Sequence, residues 1–230
     1  MSRNKYLVVT AGGSGVRMGA DVPKQFLQLE GKPILRITIE RFLEAVPDIK
    51  VITVLPQAWI PRWRSLCARD GFACPQKLVE GGFTRFHSVK NALEHVPDGA
   101  LVAIHDGVRP FVSAAKIREL FKAAEECPAV IPVVPSTDTL KVLEKAPDGS
   151  QTVSGEELDR SRIWGVQTPQ VFRSEVIRDA YTQGYDTLFT DDASVAVRRG
   201  VKVICLPGER TNIKITTPED LGLARLIAAL

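Results

Sequence analysis

"ALVAIHDGVRPFVSAAKIRELFKAAEECPAVIPVV", residues 100–134, sets a pattern that the rest of the chain repeats. Its two ends, 100–106 and 129–134, are nearly continuous apolar runs rather than alternating ones, as expected of strands covered on both faces. Between them, 113–126 carries apolar residues at helical spacing. Working outward, "YLVVT" (6–10), "KVITVL" (50–55) and "VKVICL" (201–206) are runs of the same kind. Helical patterns occupy 34–46, 60–71, 84–96 and 218–230. Strand and helix alternate, which predicts a three-layer α/β domain around a mostly parallel sheet. One stretch breaks the rhythm. "TDTLKVLEKAPDGSQTVSG" (137–155) alternates polar and apolar residues on either side of "PDG" and reads as a β-hairpin. A two-stranded hairpin is marginal alone, so this one is expected to pack on a partner subunit. With no repeat, low-complexity tract or linker, residues 1–230 are read as one domain.

Bulk properties narrow the function classes. The 230 residues are 44% hydrophobic, enough to bury a substantial core. Thirty cationic and 27 anionic side chains leave a net charge of +3 with no run of one sign. That argues against a nucleic-acid or membrane surface and leaves room for a local anion pocket. The four cysteines, at 67, 74, 127 and 205, form no C-x-x-C pair and accompany no histidine at metal-ligand spacing. Reduced thiols and an N-terminus that enters a strand almost at once are the expectation for a cytoplasmic protein.

The first apolar run opens into "AGGSGVRMGADVPKQF" (11–26). In an open α/β sheet, ligands bind beyond the carboxyl ends of the strands, which is where this segment falls. Gly12, Gly13 and Gly15 lack Cβ atoms, so their amides can approach a phosphate closely. A Walker A loop requires Gly-Lys followed by Ser or Thr, whereas the Gly31-Lys32 pair is followed by Pro33. A dinucleotide fingerprint requires a helix that starts inside the glycine motif; here Pro23 intervenes and helical spacing begins near Ile34. What remains is a long loop bearing Arg17 and Lys24, a guanidinium that can fork onto phosphate oxygens and a mobile ammonium. These suit a triphosphate approached by an anionic nucleophile. A tight surface turn with two solvated cations would use the same residues, and the stretch alone leaves both readings open.

Taken in order, "AGGSGVRMG", "PKQF", "EGGFTRFHSV", "HDGVRPF", "TDT", "LDRSRIWGVQTPQVF", "FTDDAS" and "TNIKITTPEDL" resemble the sugar-phosphate cytidylyltransferases, most closely their methylerythritol-phosphate group. The match runs from residue 8 to about 222. The resemblance implies a Rossmann-like nucleotidyltransferase fold with a protruding β-arm over 137–160, a homodimer, and Mg2+ as cofactor. Its substrates would be CTP and a sugar-alcohol phosphate. It implies that Ala11, Gly12 and Gly13 hold the nucleotide, that Gly82 and Ser88 line the base pocket, and that Arg17 and Lys24 stabilise charge at the α-phosphate. Asp106 would contact nucleotide or acceptor hydroxyls near the metal. Arg109, Thr168 and Lys214 would lie on the acceptor side, with Thr139 and Arg160 reaching it from the neighbouring subunit. Other readings stand beside these. Thr84 can start a helix with Ser88 on its face, Arg160 can be a surface charge, and Thr190 and Asp191 can cap the following helix. His105 reads as a structural histidine, since no Ser or Cys motif accompanies it.

No Ser-His-Asp set or carboxylate pair is visible, and this chemistry requires none. An acceptor phosphate is already an anion at neutral pH and can attack phosphorus without a general base. Catalysis would rest on in-line positioning and charge neutralisation, with Arg17, Lys24, Arg160 and Lys214 as the catalytic cations. The chain departs from the methylerythritol group's pattern in Gly12, in Gly107-Val108 and in Phe83, which stands where a small or acidic residue is usual. The Gly12 change is similar to that in ribitol-5-phosphate cytidylyltransferases, which leaves ribitol 5-phosphate as an alternative acceptor. A CTP-binding protein without turnover and an enzyme using UTP or GTP are the remaining alternatives.

Overall fold

The computed structural model describes residues 3–12 and 22–230. Its strands are β1 (Lys5–Thr10), β2 (Gln28–Leu29), β3 (Lys32–Pro33), β4 (Lys50–Leu55), β5 (Gln76–Glu80), β6 (Leu101–Asp106), β7 (Ala129–Pro135), β8 (Leu143–Lys145), β9 (Gln151–Val153), β10 (Trp164–Val166), β11 (Gln170–Arg173) and β12 (Ile204–Pro207). The α-helices are α1 (Ile34–Ala45), α2 (Ile60–Arg69), α3 (Arg85–Leu93), α4 (Ala114–Glu126), α5 (Ser174–Ala180), α6 (Asp192–Arg198) and α7 (Pro218–Ala228).

Eight strands form one sheet in the order β10-β7-β11-β6-β1-β4-β5, with β12 also paired to β7. The β1–β4, β1–β6, β4–β5 and β7–β12 pairs are parallel. Antiparallel β11 is wedged between β6 and β7, and β10 pairs antiparallel to β7. The sheet is therefore mostly parallel, as expected.

Both of its faces are covered, which explains the unbroken apolar runs. Leu7 and Val9 point to the side of α1 and α4, where they join Leu35, Ile39, Phe42, Leu120 and Phe121 in one buried cluster. Tyr6 and Val8 point the other way, to a cluster with Phe86, Val89 and Leu93 of α3 and Val195 of α6. Within α4 the spacing does the work: Ile117, Leu120, Phe121 and Ala124 form one buried stripe. The Ser113 side chain accepts the Lys116 N–H to start that helix. Pro128 directly follows Cys127, which the backbone restriction before proline takes out of the helical region.

One reading needs correction and another is narrowed. The run at 201–206 becomes a strand only from Ile204. Val201 N–H instead closes the end of α6 on Ala196 O, and Val201 and Val203 pack half-buried against the α3–α6 cluster. The hairpin over 137–155 forms ladder pairs only between β8 and β9, in a sheet separate from the main one. Gly149 (φ 87°) supplies the left-handed residue of its turn. Every residue of β8 and β9 is exposed.

The chain passes from β1 to β4 on one side, and β6 lies on the other. The crevice beyond the carboxyl ends of β1 and β6 is thus the switch point at which such sheets bind ligands.

Candidate active site

Register places Thr10, the last residue of β1, opposite Asp106, the last of β6. The loops that leave these strands are tied to neighbouring backbone. Ala11 N–H donates to Val54 O, Gly107 N–H to Thr10 O, and Gly81 N–H to Leu55 O. Buried Gln25 reaches back from the short turn Lys24–Phe26 and donates Nε2–H to Ala11 O at 2.7 Å. Lys24 is thereby set at the same crevice as Ala11 and Gly12, and all three line a cleft of about 470 Å³. Gly13 and Arg17 lie outside the described residues.

The opposite wall comes from the β5–α3 loop. Thr84 caps α3 by accepting the His87 N–H, so the helix-start reading of this threonine holds. Ser88, also on α3, donates to Thr84 O and accepts Gly82 N–H, each at 3.0 Å. Its hydroxyl is therefore both a structural tie and part of the cleft lining. A Cβ at Gly82 would lie 2.4 Å from His87 Cβ, which leaves glycine as the residue that fits. A Cβ at Gly12 would sit 3.4 Å from Ser88 Oγ, so this position brings the two walls close together.

At the floor, Asp106 is a buried carboxylate with Lys214 Nζ at 3.0 Å, Arg109 Nε at 3.3 Å and Arg85 Nε at 3.7 Å. Burial alone would raise its pKa, but Arg85, Lys214 and Arg109 more than offset this and hold it far below the usual carboxylate range. Asp106 N–H donates to Thr168 Oγ1 at 3.1 Å. His105 is fully buried, and burial pushes its imidazole down to about 4. The ring is therefore neutral, and its tautomer follows from its partners. Nε2 faces the Arg109 carbonyl at 3.0 Å, so Nε2 carries the hydrogen. Nδ1 must then accept from Thr168 Oγ1, also at 3.0 Å. One chain of hydrogen bonds thus fixes the loop of Asp106 against β11, and His105 is structural. Arg109 in turn donates to Asn212 O at 2.8 Å, while Ile215 N–H donates to Val108 O; together they seat Lys214.

Arg85, Asp106 and Lys214 also line a second cleft, of about 260 Å³, with Arg109, Thr168, Thr190 and Asp191. The two clefts therefore meet at one carboxylate and two cations. Arg85 and its anchors were not legible beforehand. Its guanidinium forks onto Asp192 at 2.8 and 2.6 Å, and Asp192 also accepts from the Tyr181 hydroxyl at 2.6 Å. Desolvation, and then the Asp192 charge, keep that phenol protonated well past its ordinary range. Asp191 accepts the Ser194 N–H in a capping box and also Gln170 Nε2–H, which is the helix-capping alternative. Thr139 and Arg160 share a separate small cavity with Leu140, Leu158 and Ile163, and one chain does not bring them to Lys214.

Among the described residues, no three His, Cys, Asp or Glu side chains are grouped to hold a metal. Asp106 is the one acidic side chain among the described residues of the larger cleft. A single carboxylate fits Mg2+ that takes most of its ligands from phosphate oxygens and water.

Residues 6–229 match the family model described as 2-C-methyl-D-erythritol 4-phosphate cytidylyltransferase (IspD). The protein of that name from Porphyromonas gingivalis is 48% identical over 228 residues, covering 99% of each chain. Its counterpart in Phocaeicola vulgatus is 45% identical over 97% of this chain and 99% of its own. The crystal structure of the enzyme of that name from Thermus thermophilus superposes with a TM-score of 0.75 at 32% identity, covering 100% of both chains.

Proposed function

The chain belongs to the 2-C-methyl-D-erythritol 4-phosphate cytidylyltransferase family, and on that premise we propose that it transfers CMP from CTP to 2-C-methyl-D-erythritol 4-phosphate. The products are 4-diphosphocytidyl-2-C-methyl-D-erythritol and pyrophosphate, in isoprenoid precursor synthesis by the non-mevalonate route. The observation that carries the mechanism is the junction of two clefts at Asp106, Arg85 and Lys214. CTP takes the larger cleft, with its base toward Gly12, Gly82 and Ser88 and its phosphates toward Lys24 and Lys214. The acceptor takes the smaller one, beside Arg109 and Thr168.

In the reaction an oxygen of the acceptor phosphate attacks the α-phosphorus of CTP. The new P–O bond forms as the bond to the β-phosphate bridging oxygen breaks, and pyrophosphate leaves with that electron pair. No proton must be removed from the nucleophile, and neutral His105, locked between Arg109 O and Thr168, takes no part. Lys24 and Lys214 neutralise the charge that builds on the phosphate oxygens, with Arg17 a further cation for the same task. Asp106 holds Lys214 and Arg109 in place and offers a carboxylate for Mg2+. When bound, that ion would neutralise triphosphate charge. Thr139 and Arg160 complete the acceptor cleft from a second copy of the chain in a homodimer. Four free cysteines support a reducing, cytoplasmic setting.

Pyrophosphate release, measured with CTP, UTP, ATP and GTP against 2-C-methyl-D-erythritol 4-phosphate and ribitol 5-phosphate, tests this reading. CTP with the methylerythritol acceptor should be turned over fastest, and chelation of Mg2+ should stop it. A higher kcat/KM for ribitol 5-phosphate would overturn the acceptor, and no release with any pair would overturn the enzymatic reading.

A further inference from the structure

Phe83 is a large apolar side chain with full solvent exposure, yet it stands on the wall of the larger cleft. A lone exposed phenylalanine needs no explanation by itself. This one has an aromatic neighbour. Its ring meets His87 edge-on, with centroids 6.4 Å apart and planes at 88°. His87 is fixed in turn by Thr84 Oγ1 at 2.8 Å from Nδ1 and by Tyr185, 5.4 Å away. The backbone beneath is fixed as well, because Gly82 is hydrogen-bonded to Ser88 and packed against His87 Cβ.

The surroundings of Phe83 identify the part of the ligand it faces. On that wall Gly82, Thr84 and Ser88 carry no charge, the Arg85 guanidinium is turned to Asp192 and Asp106, and across from them is the bare backbone of Gly12. The ionic groups gather instead around Asp106. A nucleotide laid along this gradient puts its phosphates among the cations and its base beside Phe83. We propose that the Phe83 ring is the outer wall of the base subsite, stacking on the pyrimidine of the bound nucleotide and losing its solvent exposure there. The inference rests on the nucleotide placement given above. It assigns Phe83 a binding role: a ring stacked on the base is in contact before and during transfer, and so stabilises the ground state and the transition state alike. An aromatic–base stack is sequence-tolerant and strengthens binding by about tenfold or more.

The test is equilibrium titration with CTP and Mg2+, without acceptor, of the wild type and of Phe83→Ala, Phe83→Leu and Phe83→Tyr, together with steady-state kinetics. Because the side chain is exposed, none of the three should alter thermal stability. Phe83→Ala and Phe83→Leu should weaken CTP binding about tenfold, in Kd and KM alike, while Phe83→Tyr stays within about twofold. In all three, kcat at saturating CTP and KM for the acceptor should hold within about twofold, as expected when uniform binding is lost. An alanine variant that binds CTP like the wild type overturns the proposal. So does a leucine variant that does, since it keeps apolar volume without a π face. If CTP binding follows the predicted pattern but no pyrophosphate is released, the enzymatic reading falls and the base wall stands. If turnover is normal and Phe83→Ala binds CTP as the wild type does, the base wall falls alone.

Discussion

His105 is surrounded so completely that its chemistry is decided by its neighbours. Burial brings its pKa from 6.5 down to about 4, so the folded protein keeps it neutral where an unfolded chain would protonate it. Its contribution to stability is fully present above pH 6.5 and is lost as the pH falls toward 4, about 3 kcal/mol in all. His105 should therefore show ring NMR shifts that do not move between pH 7 and 5, and the stability lost across that window should include the uptake of one proton on unfolding. Lys24 should behave differently, through chemistry rather than stability. Lys24→Ala should lower kcat about a hundredfold, roughly 3 kcal/mol, with a smaller rise in KM for CTP, because its contact strengthens in the transition state. A mutant with near-normal kcat and weak CTP binding would show instead that Lys24 holds the ground state. At this scale Lys24, Gly82, Asp106 and Lys214 were legible, because motifs set residue types at short spacing. Arg85 with Asp192 was not, since a pair separated by 107 positions leaves no local pattern.

Elements show where periodicity reads well and where it does not. The strands covered on both faces are continuous apolar runs and were found. β5 was missed because it lies at the sheet edge and its burial alternates. β10 and β11 are three and four residues long, too short for a periodic signal, and α5 and α6 have only seven residues each. For α6 the informative mark was its start, "FTDDAS", rather than its stripe. Asp191 both caps that helix and accepts from Gln170, so Asp191→Ala should cost about 1–2 kcal/mol in urea unfolding. Asp191→Ser should recover most of the cap. Because the carboxylate is already occupied by Ser194 N–H and Gln170, kcat/KM should stay within about threefold in both variants. A loss far beyond that in a stably folded Asp191→Ser protein would make Asp191 a substrate contact.

For the whole molecule, the alternation of strand and helix specified the layers, while the pairing of β11 between β6 and β7 came only from the assembled sheet. The assembly of two chains is tested by mixing. Lys24→Ala and Arg160→Ala proteins, each inactive alone, should give hybrids with one doubly damaged site and one intact site when their subunits exchange. Random pairing makes about half the dimers hybrid, so roughly a quarter of wild-type activity should return. Verified exchange without recovery would place Arg160 in its own subunit's site or away from the acceptor. Leu143 and Val153 of the hairpin, with Leu140, Trp164 and Val166 nearby, are apolar and exposed, as a surface awaiting a second copy would be. The hairpin's ladder bonds are also its own: β8 and β9 pair with each other and with no strand of the main sheet. Folding of the body and competence for the reaction are therefore separable under proteolysis. A single nick in the turn around Gly149 should leave the melting temperature of the eight-stranded body unchanged, while turnover falls if the hairpin is what joins the proposed pair of chains. One exposed turn would then act as a switch for its activity, silencing the molecule without unfolding it.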